Sequence, residues 1–326
     1  MRWIATVAAS AAVVLLAAAC SSGTSGQALP ATAGAPSVNG SAASPPTHGT
    51  SSGNTSGSAP STPASGRPVH VSLLEADGGV YGIGMPIIAY VDHAITDASA
   101  FDRATAVTVN GRPASGAWYW QRSGRAGQAL EAHYRLRNYW PAHASIHLDL
   151  PVTGLSAGKG LVFDDSLTLS IATGAANIAT VDGGSERMTV TSDGKTVFSF
   201  PVSLGAASTP TYGGTKIVME KDRVQEMKNN PGEPFYDLQV PWSVRLTNSG
   251  EFVHSASWNG GNIGVRSTSH GCTNLNVGDA QRYFSFARIG DVFTYTNTGG
   301  PTMPSWDGYG DWNLSWPTWQ SGGVLA

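Results

Sequence analysis

From Pro68 to about Thr173 the chain never sustains apolar residues at helical spacing; short segments alternate apolar and polar residues instead and break at turn sequences. The segments are Val69–Leu74, Pro86–Val91, Ala106–Val109, Ala117–Gln121, Leu130–Arg137, Ser145–Leu150 and Leu167–Ile171. Between them stand Asp77-Gly78-Gly79, Asn110-Gly111, Ser123-Gly124 and Gly158-Lys159-Gly160, residues that accept the positive φ of tight turns. Period-two segments bury one face each, so they close only as sheets packed on one another.

Seven or so strands with frequent turns predict a β-sandwich of immunoglobulin type over residues 67–174. Trp118, Tyr119, Trp120, Tyr139 and Trp140 suggest a sugar-stacking face; alternation favours the core and a domain interface, with the domain acting as a spacer. His93, His133, His143 and His147 invite a metal reading. A spacing of four around a strand start does not bring His143 and His147 to one face, so all four are expected on the surface without metal.

From residue 175 the strands lengthen: Arg187–Thr191, Val197–Leu204, Lys216–Met219, Leu238–Thr247, Phe252–Ser255 and Asp291–Thr296. One helix is convincing, Gly278–Arg288, with Ala280, Tyr283, Phe284 and Ala287 on one face and Gly290 as its stop. Residues 175–298 therefore predict a second, β-rich domain with one main helix, which makes the whole chain mainly β. The polar stretch between Met219 and Tyr236 reads as a long irregular insertion of the kind that forms a lid, or more plainly as a surface hairpin. The tail, residues 299–326, carries Trp306, Trp312, Trp316 and Trp319, too many to leave on a soluble surface.

Residues 1–20 combine a charged start, an apolar run from Ile4 to Leu16 and small residues before Cys20, the pattern of an export signal. The small residues flanking Cys20 resemble a bacterial lipoprotein signal in which that cysteine is acylated; the plainer alternative is a secretory cut with Cys20 removed or left free. Residues 21–66 are almost wholly Ser, Gly, Ala, Thr and Pro, too poor in apolar surface to offset chain entropy, and predict a disordered tether. Such a tether would reach roughly 35 to 40 Å. The expected location is thus extracytoplasmic, on a lipid anchor in the cell membrane and facing the wall. A formal net charge of −3 gives no support to nucleic-acid binding.

With Cys20 lipidated, Cys272 is left without a disulfide partner, because the chain has two cysteines. A free thiol in an oxidising compartment is a liability unless it is used. Cys272 lies in Ser269-His270-Gly271-Cys272-Thr273-Asn274, a polar run without apolar periodicity, and Gly271 lets backbone pass close to a bound group. A catalytic thiol needs a base or a positive charge nearby, and His254 and His270 are both candidates. The plainer alternative is a buried cysteine acting as a small apolar residue. With a base in reach, sulfur attacks a carbonyl, and the N–H groups of Gly271 and Cys272 are placed by sequence to hold the oxyanion.

An upstream His254, with Phe252-Val253-His254-Ser255-Ala256 and Trp258, followed by Ser269-His270-Gly271-Cys272 and Asn274, resembles the signature of the L,D-transpeptidases with the YkuD catalytic fold. Thr209-Pro210-Thr211-Tyr212-Gly213-Gly214-Thr215-Lys216 is similar to another segment of that family, with Lys216 where an aromatic is common, a departure expected to affect packing more than chemistry. The immunoglobulin-like domain and the Trp-rich tail resemble the actinobacterial members. The resemblance implies that Cys272 is the nucleophile, His254 the base, the Ser255 carbonyl its orienting partner and Gly271 an oxyanion donor. It implies substrate contacts at Met219, Tyr236, Trp258, His270 and Asn274, with Tyr236 on the lid. Donor and acceptor would be peptidoglycan stem peptides, a tetrapeptide donor acylating Cys272 and a second stem accepting it in a 3→3 cross-link. No cofactor and no metal is implied, and carbapenems would acylate Cys272. The alternatives are an L,D-carboxypeptidase, in which water takes the acyl group, and a non-catalytic wall-binding lipoprotein. Sortase and papain-like orders of Cys and His fit less well.

Overall fold

The computed structural model describes residues 65–228 and 237–325. They fall within one compact unit, Pro60–Ala326. The expectations for the export signal, Cys20 and nearly all of the tether lie outside the described residues.

The first part of this unit is a sandwich of two sheets. One orders Val80–Tyr81, Leu167–Thr173, Ser145–Leu150, Ala106–Val109 and Arg112–Pro113; the other orders Val71–Leu73, Ile87–Val91, Leu130–Leu136 and Gly116–Arg122. Ser145–Leu150 shows how the pattern builds it, with Ile146, Leu148 and Leu150 buried and Ser145, His147 and Asp149 exposed. Each such aliphatic side chain removed from water contributes about 1.5 to 3 kcal/mol. Asn110 and Gly111 both take positive φ (51° and 73°), which the tight hairpin at that point requires. A short helix, Ser99–Ala104, was not legible in the sequence. It inserts Phe101 edge-on against Trp118 and Trp120, at 5.3 and 5.1 Å between ring centroids.

His133 corrects an expectation. It is buried, not on the surface, and its Nδ1 lies 2.9 Å from Asp311 Oδ1 in the C-terminal tail. The contact holds its pKa up to about 10 against the effect of burial.

The second part stacks a five-stranded sheet (Lys195–Pro201, Arg187–Ser192, Asn177–Asp182, Val292–Thr296, Gly214–Ile217) and a four-stranded one (Glu220–Lys228, Asp237–Arg245, Phe252–Ser255, Thr273–Leu275). A shared core includes Val181, Met188, Phe200, Val244, Val253, Leu275 and Phe293. The helix Val277–Phe286 buries Ala280 and Tyr283 against it, and the chain turns extended at Ala287. The stretch after Met219 is not irregular where described but follows the plainer reading of a hairpin: Glu220–Lys228 pairs antiparallel with Asp237–Arg245 as a long arm.

The tail returns across both parts. Trp312 Nε1 donates to the Gly84 carbonyl, Trp319 Nε1 to Ala117 O, and Asn313 bonds Thr215 on both sides of its amide. Arg135 is held by the faces of Trp312, Trp316 and Trp319. Tyr119 stacks on Trp319 and Tyr139 packs on Trp312, so two half-buried aromatics of the sandwich meet the tail. Trp306 is the exception to the expected burial, at 66% exposed.

Candidate active site

Strand Phe252–Ser255 runs parallel to Thr273–Leu275, with His254 opposite Asn274 and Val253 opposite Thr273. That register sets Cys272, one residue ahead of its strand, beside the strand that carries His254. Gly271 makes the preceding turn possible, since its φ of +123° is a conformation that side-chain-bearing residues rarely adopt.

The loop is fastened from within and from outside. Ser269 Oγ donates to the Cys272 carbonyl at 2.6 Å and accepts from Gly271 N–H at 3.1 Å. Thr211 Oγ1 donates to Gly271 O at 2.7 Å, and Thr209 Oγ1 to Ser269 O at 3.0 Å. The Gly271 N–H expected at an oxyanion is therefore already engaged by Ser269. Among the described residues no hydrogen-bond partner is found for the Cys272 N–H, which leaves it as the loop's available donor.

His254 is buried, and its Nδ1 lies 2.9 Å from the Ser255 carbonyl. A carbonyl only accepts, so Nδ1 carries the proton and Nε2 is left as an acceptor. Burial pushes the imidazole down to about 4, with the Ser255 contact acting weakly the other way. Burial likewise pushes the Cys272 thiol up to about 12, opposed by the Phe252 amide that faces the sulfur. Both groups are thus neutral at physiological pH. The thiol points at Gly250 O, 3.6 Å away, rather than at the imidazole.

Two cavities meet at Cys272. One, of ≈ 310 Å³, is lined mainly by apolar and motif residues, among them His254, Trp258, Asn274, Met227, Leu238 and Val240. The other, of ≈ 360 Å³, is more polar, with Tyr212, Glu226, Lys228, Arg245 and Glu251 in its wall. Cys272, His270 and Met227 border both, so the arm Glu220–Lys228 walls the two spaces. Trp258 stacks on His254 with 5.9 Å between rings and is 56% exposed. Asn274 is buried beside His254, and its Oδ1 has no hydrogen-bond partner among the described residues.

Of the residues singled out in the sequence, Cys272, His254, Ser255, Gly271, Trp258, His270 and Asn274 are gathered here. Met219 is not: it lines a separate depression with Glu220, Arg245, Asn248 and Tyr309. Tyr236 lies outside the described residues. Sequence reasoning gave Thr209 and Thr211 no role beyond their family-like segment and passed over Glu251. It also took Lys216 for a packing change, whereas Lys216 is fully buried in an ion pair with Glu251. A lysine inside the short strand Gly214–Ile217 and a glutamate one residue ahead of the buried strand Phe252–Ser255 were the available signal. No group of three or more His, Cys, Asp or Glu suited to a metal occurs among the described residues.

Comparison with known proteins was informative for both parts. Residues 176–298 match the L,D-transpeptidase catalytic domain and residues 44–156 a bacterial Ig domain. The chain is 33% identical over 270 residues to L,D-transpeptidase 2 of Mycobacterium tuberculosis (strain CDC 1551 / Oshkosh), covering 79% of this chain and 64% of that protein, which is under two thirds of its length. It is 30% identical over 230 residues to L,D-transpeptidase 1 of M. tuberculosis (strain H37Rv), covering 69% of this chain and 83% of that one. Among solved structures, an L,D-transpeptidase from Mycobacterium smegmatis is similar at TM-score 0.57 and 28% identity, covering 71% of this chain and all of that one (100%). An LD transpeptidase in complex with imipenem is similar at TM-score 0.58 and 26% identity, covering 69% and 97%.

Proposed function

The chain belongs to the L,D-transpeptidase family, and from that premise we propose that it is a cysteine-dependent acyltransferase that joins peptidoglycan stem peptides by 3→3 cross-links. In the first half-reaction the thiol rotates from Gly250 O toward His254, and Nε2 accepts its proton as sulfur attacks the carbonyl between the donor's diamino acid and its terminal D-Ala. Because both partners start neutral, proton transfer accompanies attack; no standing thiolate is needed. The Ser255 carbonyl holds Nδ1–H and so steadies the imidazolium. Charge on the tetrahedral oxygen is met by the Cys272 N–H, an effect in which a single well-placed donor contributes about 3 to 4 kcal/mol. His254 then returns the proton to the departing D-Ala amine, leaving a thioester. An acceptor amine attacks that thioester, again losing a proton to His254, and the thiol is restored.

The observation that carries transfer over hydrolysis is the meeting of two cavities at one sulfur. A carboxypeptidase needs room for one peptide and a water. A transferase must hold one stem as the thioester while a second reaches the same carbonyl from another side. The test is mass spectrometry of products formed by the purified protein from disaccharide tetrapeptide. A 3→3 dimer is the expected result. Tripeptide alone would assign the protein to hydrolysis, and no product with no acyl adduct on Cys272 would assign it to wall binding without catalysis.

Attachment outside the cytoplasm through an acylated Cys20 belongs to the same proposal. It is supported by the sequence pattern around that residue.

A further inference from the structure

Beside the nucleophile, with Glu251 in the wall of the polar cavity and Lys216 beneath it, lies a charged pair that the reaction as described does not use. Lys216 Nζ meets Glu251 Oε2, and the lysine is fully buried (0% exposed), the glutamate nearly so (7%). Burial pushes both toward their neutral forms, and the contact between them pulls each back. Such a pair gives little or nothing in stability over apolar residues of the same size. Its placement is therefore what needs a reason.

Glu251 touches all three segments that build the site. It stands three positions ahead of His254. Its Oε1 accepts from the Tyr212 N–H at 2.7 Å, on the segment whose Thr209 and Thr211 brace the loop. Its side chain lies against Gly271, where a Cβ would sit 3.5 Å from Oε1. Lys216 in turn rests 3.8 Å from the centre of the Tyr295 ring, and Tyr295 Oη is 2.7 Å from Thr273 Oγ1, next to Cys272. The charged and titratable groups facing the pair are Cys272, Asp307, Tyr212 and Tyr295, and Arg245 also faces the sulfur.

We propose that Lys216 and Glu251 are positioning residues for the acylation step: together they lock the strand of His254, the segment 209–216 and the loop of Cys272 into one unit, and keep the charge beside the sulfur balanced. This rests on Cys272 being the nucleophile. A displacement of the loop by about 1 Å is enough to slow such a reaction by about 10²-fold. The charges also act on the thiol directly and with opposite sign, Glu251 disfavouring the thiolate and Lys216 favouring it.

The experiment uses Lys216→Met/Glu251→Leu, which removes both charges, together with Glu251→Gln and Lys216→Met. Acylation by imipenem is followed by intact mass at several concentrations, alkylation of Cys272 by iodoacetamide is timed at fixed pH, and folding is checked by thermal melting. The double variant should melt near the wild type yet acylate about tenfold or more slowly, with little change in the half-saturating concentration. Glu251→Gln should speed alkylation and Lys216→Met should slow it, because at fixed pH the rate follows the thiolate fraction. A general loosening would move both the same way. Wild-type acylation by a folded double variant would overturn the proposal. Should that variant not fold, the isosteric Glu251→Gln decides: unchanged acylation and unchanged alkylation would overturn it equally. Cys272→Ala, run alongside, separates the two levels, since an acyl adduct on that variant would remove the nucleophile assignment itself.

Discussion

A half-buried thiol pushed up to about 12 and a buried imidazole pushed down to about 4 determine how the reaction responds to pH. His254 serves as base only when neutral, a state present above its lowered pKa and lost as pH falls through it. The acid limb of single-turnover acylation should therefore fall near pH 4, not near the ordinary histidine value of about 6.5. A limb at 6 to 7 would mean that His254 is solvated when it works. His254→Gln should slow acylation by about 10² to 10⁴-fold, and a larger loss in His270→Gln would transfer the role of base to His270. Cys272→Ala should remove cross-linking altogether while leaving the melting temperature close to that of the parent, as judged by product analysis and calorimetry. The spacing of His254 and Cys272 was readable along the chain. Their neutrality was not, because it comes from loss of water where the strand of His254 meets the loop of Cys272, two segments that the sequence does not set side by side.

The elements that give the site its shape divide by how strongly their sequence alternates. Ser145–Leu150 and the helix Val277–Phe286 were legible because one face of each is apolar. The arm Glu220–Lys228 was legible only as the plainer alternative of a surface hairpin, since its side chains are exposed or half-buried on both faces and leave no period to find. The helix Ser99–Ala104 has only Phe101 buried, too little to register as a face. The nucleophile's turn depends on a single conformation, and it can be tested there. Gly271→Ala meets Glu251 at only ordinary contact distance, but it forces a side chain into φ +123°. The strain should cost about 1 to 3 kcal/mol, seen as a lower melting temperature together with slower acylation. An Ala variant that kept both would show that the turn relaxes without loss.

Across the whole molecule the C-terminal tail joins what the strand pattern separates, and the join is ionic at its centre. His133 is held above its unfolded pKa, so its contribution to stability is complete below about 6.5 and is lost as pH rises through about 10. Asp311→Asn should cost up to about 3 kcal/mol at neutral pH by leaving His133 buried with only the longer contact to Glu131, 3.5 Å away. It should also flatten the decline of the melting temperature between neutral and alkaline pH; an unaltered pH profile would mean that Glu131 alone holds the proton. At the other end of the chain, Cys20→Ala should move the protein from the membrane fraction to the soluble one with its catalytic rate unchanged, as fractionation would reveal. Residues 322–324 close the circuit: Gly322 O accepts from Trp120 N–H, and Val324 N–H donates to Trp120 O. A ribosome releases Trp120 long before Gly323, so the sandwich is born with an edge that stays open until this much later segment has been made. Chains cut short between the catalytic residues and Gly322 would then be faulty first in the half that was synthesised earliest.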